Sequence, residues 1–409
     1  MTKTASTPKV SILVPIYNVE KYLKQCLDSV VDQTLREIEI ICLNDGSTDH
    51  SLQIVEDYAR DDDRFVIVDK KNSGYGDSMN LGLKKATGEY IGIVESDDYA
   101  ERDMFENLYD LAKANDADVV KSNFFYYLSA ENLNTVCSLV NSDEVDRIID
   151  PRQNRYIFYE QPSIWAGIYR RAFLEQNGID FLPTPGASFQ DTGFNFKVWS
   201  MARRAYFSDK AYLHYRIDNE GSSVKDIAKA RFVYEEYADI EKYLREHGAL
   251  EELGGTMEFA KFGAFYWNLE RMPKKLAEEY LPVVSEEFLT AERNGLLDFA
   301  IFDQRKAKIL QTIMYSPERY FTLRRVYRLR DLLAKCVKRI LPTKQRVKNC
   351  LKRVANLLPA YRQQQFALHV NENALNTLDQ IITRLDKVEK RLADMEKCNN
   401  EQESSHVNS

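Results

Sequence analysis

Cysteine is scarce and scattered. Cys26, Cys42, Cys137, Cys336, Cys350 and Cys398 form no C-x-x-C pair. That spacing speaks against a zinc site or a disulfide framework and suits a reducing compartment. No apolar run approaches the ~20 residues needed to cross a bilayer. The first residues, MTKTASTPK, lack the apolar core of a signal peptide. These absences lead to the expectation of a cytoplasmic protein, or one on the inner face of the plasma membrane. A glycine-rich loop bearing Lys or Arg is also missing after the first apolar segment, where VPIYNVEKYL stands instead. A nucleotidyltransferase is expected to carry such a loop, so that class is a secondary reading.

What is present begins with bulk: 409 residues, 44% apolar, net charge −7. That length predicts two or three domains. Charge is unevenly spread: from Arg319 to Arg362, fourteen Lys and Arg face one acid, Asp331. One segment therefore has a different partner from the rest.

The first part alternates strand and helix signals. Apolar runs at Val10–Ile16, Glu37–Leu43, Phe65–Val68, Tyr90–Val94 and Asp118–Tyr127 read as strands. Helical spacing falls between them at Tyr22–Leu35, Leu52–Tyr58, Gly76–Ala86 and Asp103–Ala114. This alternation predicts an α/β fold, a mostly parallel sheet covered by helices on both faces. Ligands of such sheets bind beyond the carboxyl ends of the strands. Tyr17-Asn18, Asn44-Asp45 and Glu95–Asp98 fall at such ends. The acids Glu95, Asp97 and Asp98 close a buried strand, where like charges repel. A hard divalent cation would relieve that repulsion, although an acidic helix start is the alternative. Residues 151–220 read as loops and short elements rich in aromatics, and 224–311 as helical.

VSILVPIYNVEKYLKQCLDSVVDQTLREIEIICLNDGSTDHS and NSGYGDSMNLGLKKATGEYIGIVESDDY together resemble glycosyltransferase family 2 of the GT-A fold. The resemblance is strong over about 8–130. It continues to about 225 through SIWAGIYRRAFL, TPGASFQDTGFNFKVW and YLHYRIDNEGSS. It implies a nucleotide-diphosphate sugar donor, most often UDP-linked, and inverting transfer to a saccharide hydroxyl. Bacterial relatives often extend polyprenyl-diphosphate-linked acceptors in capsular or other surface polysaccharide synthesis.

By this resemblance Pro15, Tyr17 and Asn18 line the nucleoside pocket, and Asp45 accepts a hydrogen bond from the base. Asp45-Gly46 can also be only a turn. Asn72, Asn80, Ser96 and Arg216 join the donor site. Met79 stands where the family often has Arg, which shifts charge compensation toward Arg216 or a metal. Asp97 holds the metal-ligand place of the family's D-x-D-D, Glu95 replaces the first Asp, and Asp98 supports from behind. The metal is Mn2+ or Mg2+. His214 either joins it or packs as an ordinary buried histidine. Asp191 matches the catalytic base and can also cap the next helix. Gln190 stands where Glu often precedes that base and is assigned, with Trp165, to the acceptor; Trp165 and Tyr169 can stack on a sugar or simply pack.

The expected organisation is a transferase domain at 8–225, a helical domain at 226–317, basic amphipathic helices at 318–365, a coiled coil at 366–398 and a disordered tail at 399–409. In the basic segment Val326, Leu329, Leu333, Val337 and Ile340 share one face, as do Val347, Leu351, Val354 and Leu358. The interleaved residues are aliphatic, so an anionic membrane surface fits better than nucleic acid. A solvated helical face is the plainer alternative. Leu378, Ile381, Leu385, Val388, Leu392 and Met395 form a heptad, with Arg384 and Arg391 five residues before Glu389 and Glu396. It predicts a homo-oligomer, or a helix packed on the body of the enzyme. Glu95, Met79 and Gln190 leave open a third class, a non-catalytic scaffold with a degenerate transferase head.

Overall fold

The computed structural model describes residues 7–328 and 331, apart from 140–143, 188, 220, 222–229 and 231. The chain divides into a compact unit ending at Tyr320 and a second unit from Phe321. The expected coiled coil, the tail and most of the basic segment lie outside the described residues.

The first unit is built on a ten-stranded sheet. Its first half follows the alternating pattern: β1 (Val10–Ile16), α1 (Glu20–Val31), β2 (Ile38–Asn44), α2 (Ser51–Asp61), β3 (Phe65–Asp69), α3 (Tyr75–Lys85) and β4 (Tyr90–Ile93). All seven residues of β1 are buried, as a strand covered on both faces requires. Strands β3, β2, β1 and β4 lie side by side and parallel, with Val10 opposite Ile38 on one side and Tyr90 on the other. Their carboxyl ends therefore share one edge. Helix α3 packs closely there: a Cβ on Gly82 would come within 2.8 Å of Leu43.

The sheet continues through β5 (Tyr99–Ala100), α4 (Met104–Ala114), β6 (Val119–Leu128), β7 (Leu133–Cys137), β8 (Ile148–Ile149), β9 (Gly167–Arg170), α5 (Arg171–Gln176), α6 (Gln190–Met201) and β10 (Ala205–Arg216). Strand β9 runs antiparallel between β4 and β6, and β10 lies parallel to β6. The reading of 151–220 as loops and short elements missed β10, a twelve-residue strand. Its alternation is hidden because Asp209 and Lys210 interrupt it where the register with β6 shifts.

Helices α7 (Phe232–Glu246), α8 (Leu250–Arg271), α9 (Lys274–Arg293) and α10 (Gln304–Tyr315) complete the unit. They belong to the same compact body as the sheet, with α7 packed on both α6 and α8. No helix among the described residues is long and apolar enough to cross a membrane.

Candidate active site

One large cavity, about 1490 Å3, opens along the carboxyl edge of the sheet. Ligand sites for single small molecules run to roughly 1,000 Å3, so two substrates fit. Its lining joins the ends of β1, β2 and β4, the start of α6, and one face of α8.

Asn18, in a left-handed conformation at the end of β1, joins two strand ends. Its side-chain oxygen accepts from the Thr48 amide at 2.7 Å, and its own amide donates to Ser47 Oγ. Pro15 and the exposed Tyr17 line the same wall. Asp45 also lines it, yet its carboxylate is already engaged. Oδ1 accepts the Ser73 amide and the Lys70 ammonium, and Oδ2 accepts the Gly74 amide at 2.9 Å. Asp45 therefore organises the Asn72–Gly74 loop, which makes Asn72 part of the cavity wall.

The acidic end of β4 turns tightly, with the Asp98 amide on the Glu95 carbonyl. Glu95 and Asp97 line the cavity with Ser96 between them. Glu95 accepts the Tyr75 hydroxyl at 2.7 Å. Burial pushes Glu95 up to about 8; Tyr75 opposes the shift, and Asp97 and Asp191 add to it. Asp97 Oδ2 accepts the Asn219 amide at 2.7 Å. Asp98 points into the protein: Oδ1 accepts the Arg216 amide, while Oδ2 is buried without a hydrogen-bond partner among the described residues. Burial, reinforced by Asp97, holds Asp98 well above the usual carboxylate range.

Besides Asp98, three residues assigned to the site stand outside the cavity lining. Arg216 is buried behind the acidic turn. It donates to the Asp97 carbonyl and to Gln25, and its guanidinium lies over the rings of Tyr22 and Tyr127. It braces the turn rather than meeting a diphosphate directly. Of the two expectations for His214, its contacts match the packed, hydrogen-bonded histidine. Its ring nitrogens are taken by Asn134 and Glu101, each at 2.8 Å, and it stacks between Tyr99 and Phe125. Burial lowers its pKa, which favours the neutral ring. Asn80 is likewise structural: its amide clasps the backbone of Phe181 in both directions.

Across the cavity Asp191 opens α6. The turn before it is set by Phe189, held at φ 61°, a conformation rare for a bulky residue. Gln190 tucks back onto Thr184 and Gly186, so its amide nitrogen supports the turn. Asp191 faces the cavity with its carboxyl raised to about 6 by burial, against the pull of the Thr192 amide. Trp165 lines the cavity and stacks on Tyr215 at 4.9 Å. Tyr169 is buried, bonds the Ile164 carbonyl, and packs.

Sequence reasoning missed three contributors. Tyr75 reaches Glu95 from α3, and nothing in NSGYG marks its partner. Gly74 and Gly76 pass beneath residues 182–186, where a Cβ on Gly76 would stand 2.2 Å from the Leu182 carbonyl oxygen. The third is α8, which brings Phe259, Ala260, Gly263, Ala264 and Trp267 to the cavity.

A mostly parallel sheet whose carboxyl edge carries separated acids around one large cavity is the architecture of the GT-A fold. The chain belongs to glycosyl transferase family 2. The family model matches residues 11–178. EpsH of Bacillus subtilis is 34% identical over 258 residues, 60% of this chain and 72% of the relative. EpsJ of the same organism, an uncharacterized glycosyltransferase, is 34% identical over 215 residues, 51% of this chain and 61% of the relative. The chain thus spans less than two thirds of EpsJ. In fold it is similar to S. aureus TarS 1-349 in complex with UDP-GlcNAc, at a TM-score of 0.61 and 23% identity, covering 78% of this chain and 92% of that one.

Proposed function

We propose that this glycosyltransferase moves a sugar from a UDP-linked donor to a saccharide hydroxyl with inversion at the anomeric carbon. One observation carries the reading: Asp191 faces the same cavity as Glu95 and Asp97, while aromatic residues line the space around it. Asp191 takes the proton of the acceptor hydroxyl as its oxygen attacks the anomeric carbon. The bond to the departing diphosphate breaks on the opposite side. An affinity near 6 leaves Asp191 ionised at neutral pH while still able to bind a proton.

The donor diphosphate would approach Glu95 and Asp97, and the Arg216 guanidinium stands behind the turn. That charge pattern favours a hard cation. No cluster of three His, Cys, Asp or Glu able to hold a metal occurs among the described residues. A site of one or two carboxylates completed by phosphate oxygens and water suits Mg2+ or Mn2+. Asp97 would hold it, with Glu95 near and Asp98 behind. It would offset charge growing on the leaving diphosphate. The UDP-GlcNAc complex of TarS supports the UDP reading.

We assign the chain to surface-polysaccharide synthesis, with a lipid-linked acceptor presented at a membrane. The basic segment 318–365 would hold anionic lipid and the heptad of 366–398 would join copies, with 8–225 as transferase and 226–317 as a helical domain. Release of UDP from a panel of nucleotide sugars, with and without saccharide acceptors, tests the reading. Absence of turnover with every donor, together with binding of none, would favour the scaffold alternative.

A further inference from the structure

Behind Asp191 lies a second acid that the reaction above leaves unused. Glu236, on α7, is fully buried, and neither carboxyl oxygen has a hydrogen-bond partner among the described residues. It rests on the first turn of α6. A Cβ built on Gly193 would stand 2.2 Å from Glu236 Oε2, so the carboxyl lies directly against the backbone of that turn. Asp191 sits on the same turn.

The charged groups facing Glu236 are Asp191 and Lys197 from α6, and Asp239 and Glu235 from α7. Glu258 of α8 acts on the adjoining residue, Tyr237. Lys197 is already committed, to Asp239 at 2.6 Å and Asp180 at 3.0 Å. An anion at 236 would therefore be buried, unpaired and beside another carboxylate. Two carboxyls in one dry site divide their affinities, and one keeps its proton. Asp191 has a helix amide to stabilise its anion and Glu236 has none. Burial and the Asp191 charge accordingly push Glu236 up to about 9.

We propose that Glu236 is a positioning residue for Asp191: packed as a neutral acid on the first turn of α6, it holds α7 against the base and leaves Asp191 the one anion of the pair. This rests on the reading of Asp191 as base. In alkaline solution Glu236 ionises, an unpaired charge enters the α6–α7 contact, and the turn carrying Asp191 loosens. Transfer then has an alkaline limb that belongs to Glu236.

The test is the pH profile of kcat/KM for wild type, Glu236→Ala and Glu236→Gln. Glu236→Ala should lower kcat about tenfold with donor KM unchanged, because the turn loses its support. Glu236→Gln, the shape of the neutral acid, should restore most of that loss and move the alkaline limb up by about one pH unit or more. The acid limb, owed to Asp191, should stay in place. A Glu236→Gln enzyme as slow as Glu236→Ala, or one whose alkaline limb is unmoved, overturns the proposal. Should the variants not fold, infrared titration of the wild-type chain with isotope-labelled glutamate decides. A glutamic-acid signal should outlast that of Glu258, whose carboxyl is raised to about 7 by burial. Disappearance of all such signal by that point sinks the idea. Failure of Asp191 itself would appear separately, as turnover retained in Asp191→Asn.

Discussion

The Tyr75 hydroxyl donates to Glu95 Oε1 at 2.7 Å, tying the first residue of α3 to the acidic end of β4. That bond stabilises the Glu95 anion against burial. Tyr75→Phe removes the donor and leaves a buried carboxylate short of a partner. Bonds to charged groups contribute about 1.5–3 kcal/mol. The melting temperature should therefore fall by a few degrees, and calorimetry should show weaker binding of UDP with Mn2+ because the acidic turn loses its tether.

Asp191→Asn should cut turnover by roughly a hundredfold or more, as expected for loss of a general base. Donor binding should persist, because Asp191 stands across the cavity from Asp45 and Asp97. In wild type kcat/KM should fall tenfold per unit below pH 6, where Asp191 takes up its proton, and hold level above it as far as the alkaline limb of Glu236. Single-turnover UDP release and calorimetry separate the two effects.

Chelation should abolish transfer, and Mg2+ or Mn2+ should restore it. Asp97→Ala should remove the metal-dependent part of UDP affinity. Full activity of the wild type in excess chelator would refute the metal reading.

His214→Gln should leave the metal concentration for half-maximal activity unchanged, since both ring nitrogens are occupied elsewhere. It should alter stability with pH. The folded chain holds His214 below its usual 6.5. Below that value the unfolded chain binds the extra proton, so stability is complete above about 6.5 and declines as pH falls. Melting curves between pH 7 and 5 should be flatter in the variant.

Gly76→Ala forces a methyl to 2.2 Å from the Leu182 carbonyl oxygen. The backbone must shift, costing about 1–3 kcal/mol. Thermal melting should show that loss, and UDP affinity should weaken because Tyr75 moves with its neighbour.

Strands β1 to β4 and β6, and the helices between them, were legible because buried parallel strands are continuous apolar runs and their helices are amphipathic. Asp45, Asp97 and Asp191 were found through the family's motifs, and the structure places all three on one cavity. Arg216, His214 and Asn80 lie within the stretches that carry the family resemblance, but their side chains make inward contacts. A motif marks proximity in the chain and cannot tell which face of a strand a side chain takes. Strand β10 carries His214 and Arg216 with Tyr215 between them, and of these three only Tyr215 lines the cavity.

The order of residues alone determined that a sheet would form and that carboxylates would gather at its edge, because both follow from local periodicity. Packing decided what those carboxylates are. The acidic strand end splits into Glu95 and Asp97 facing the cavity and Asp98 facing Arg216, since the chain turns sharply there to join β10. Asp191 and Glu236, 45 positions apart, are brought together only by the packing of α6 on α7. Proton affinity depends on distance and burial, and neither exists until the helices have packed.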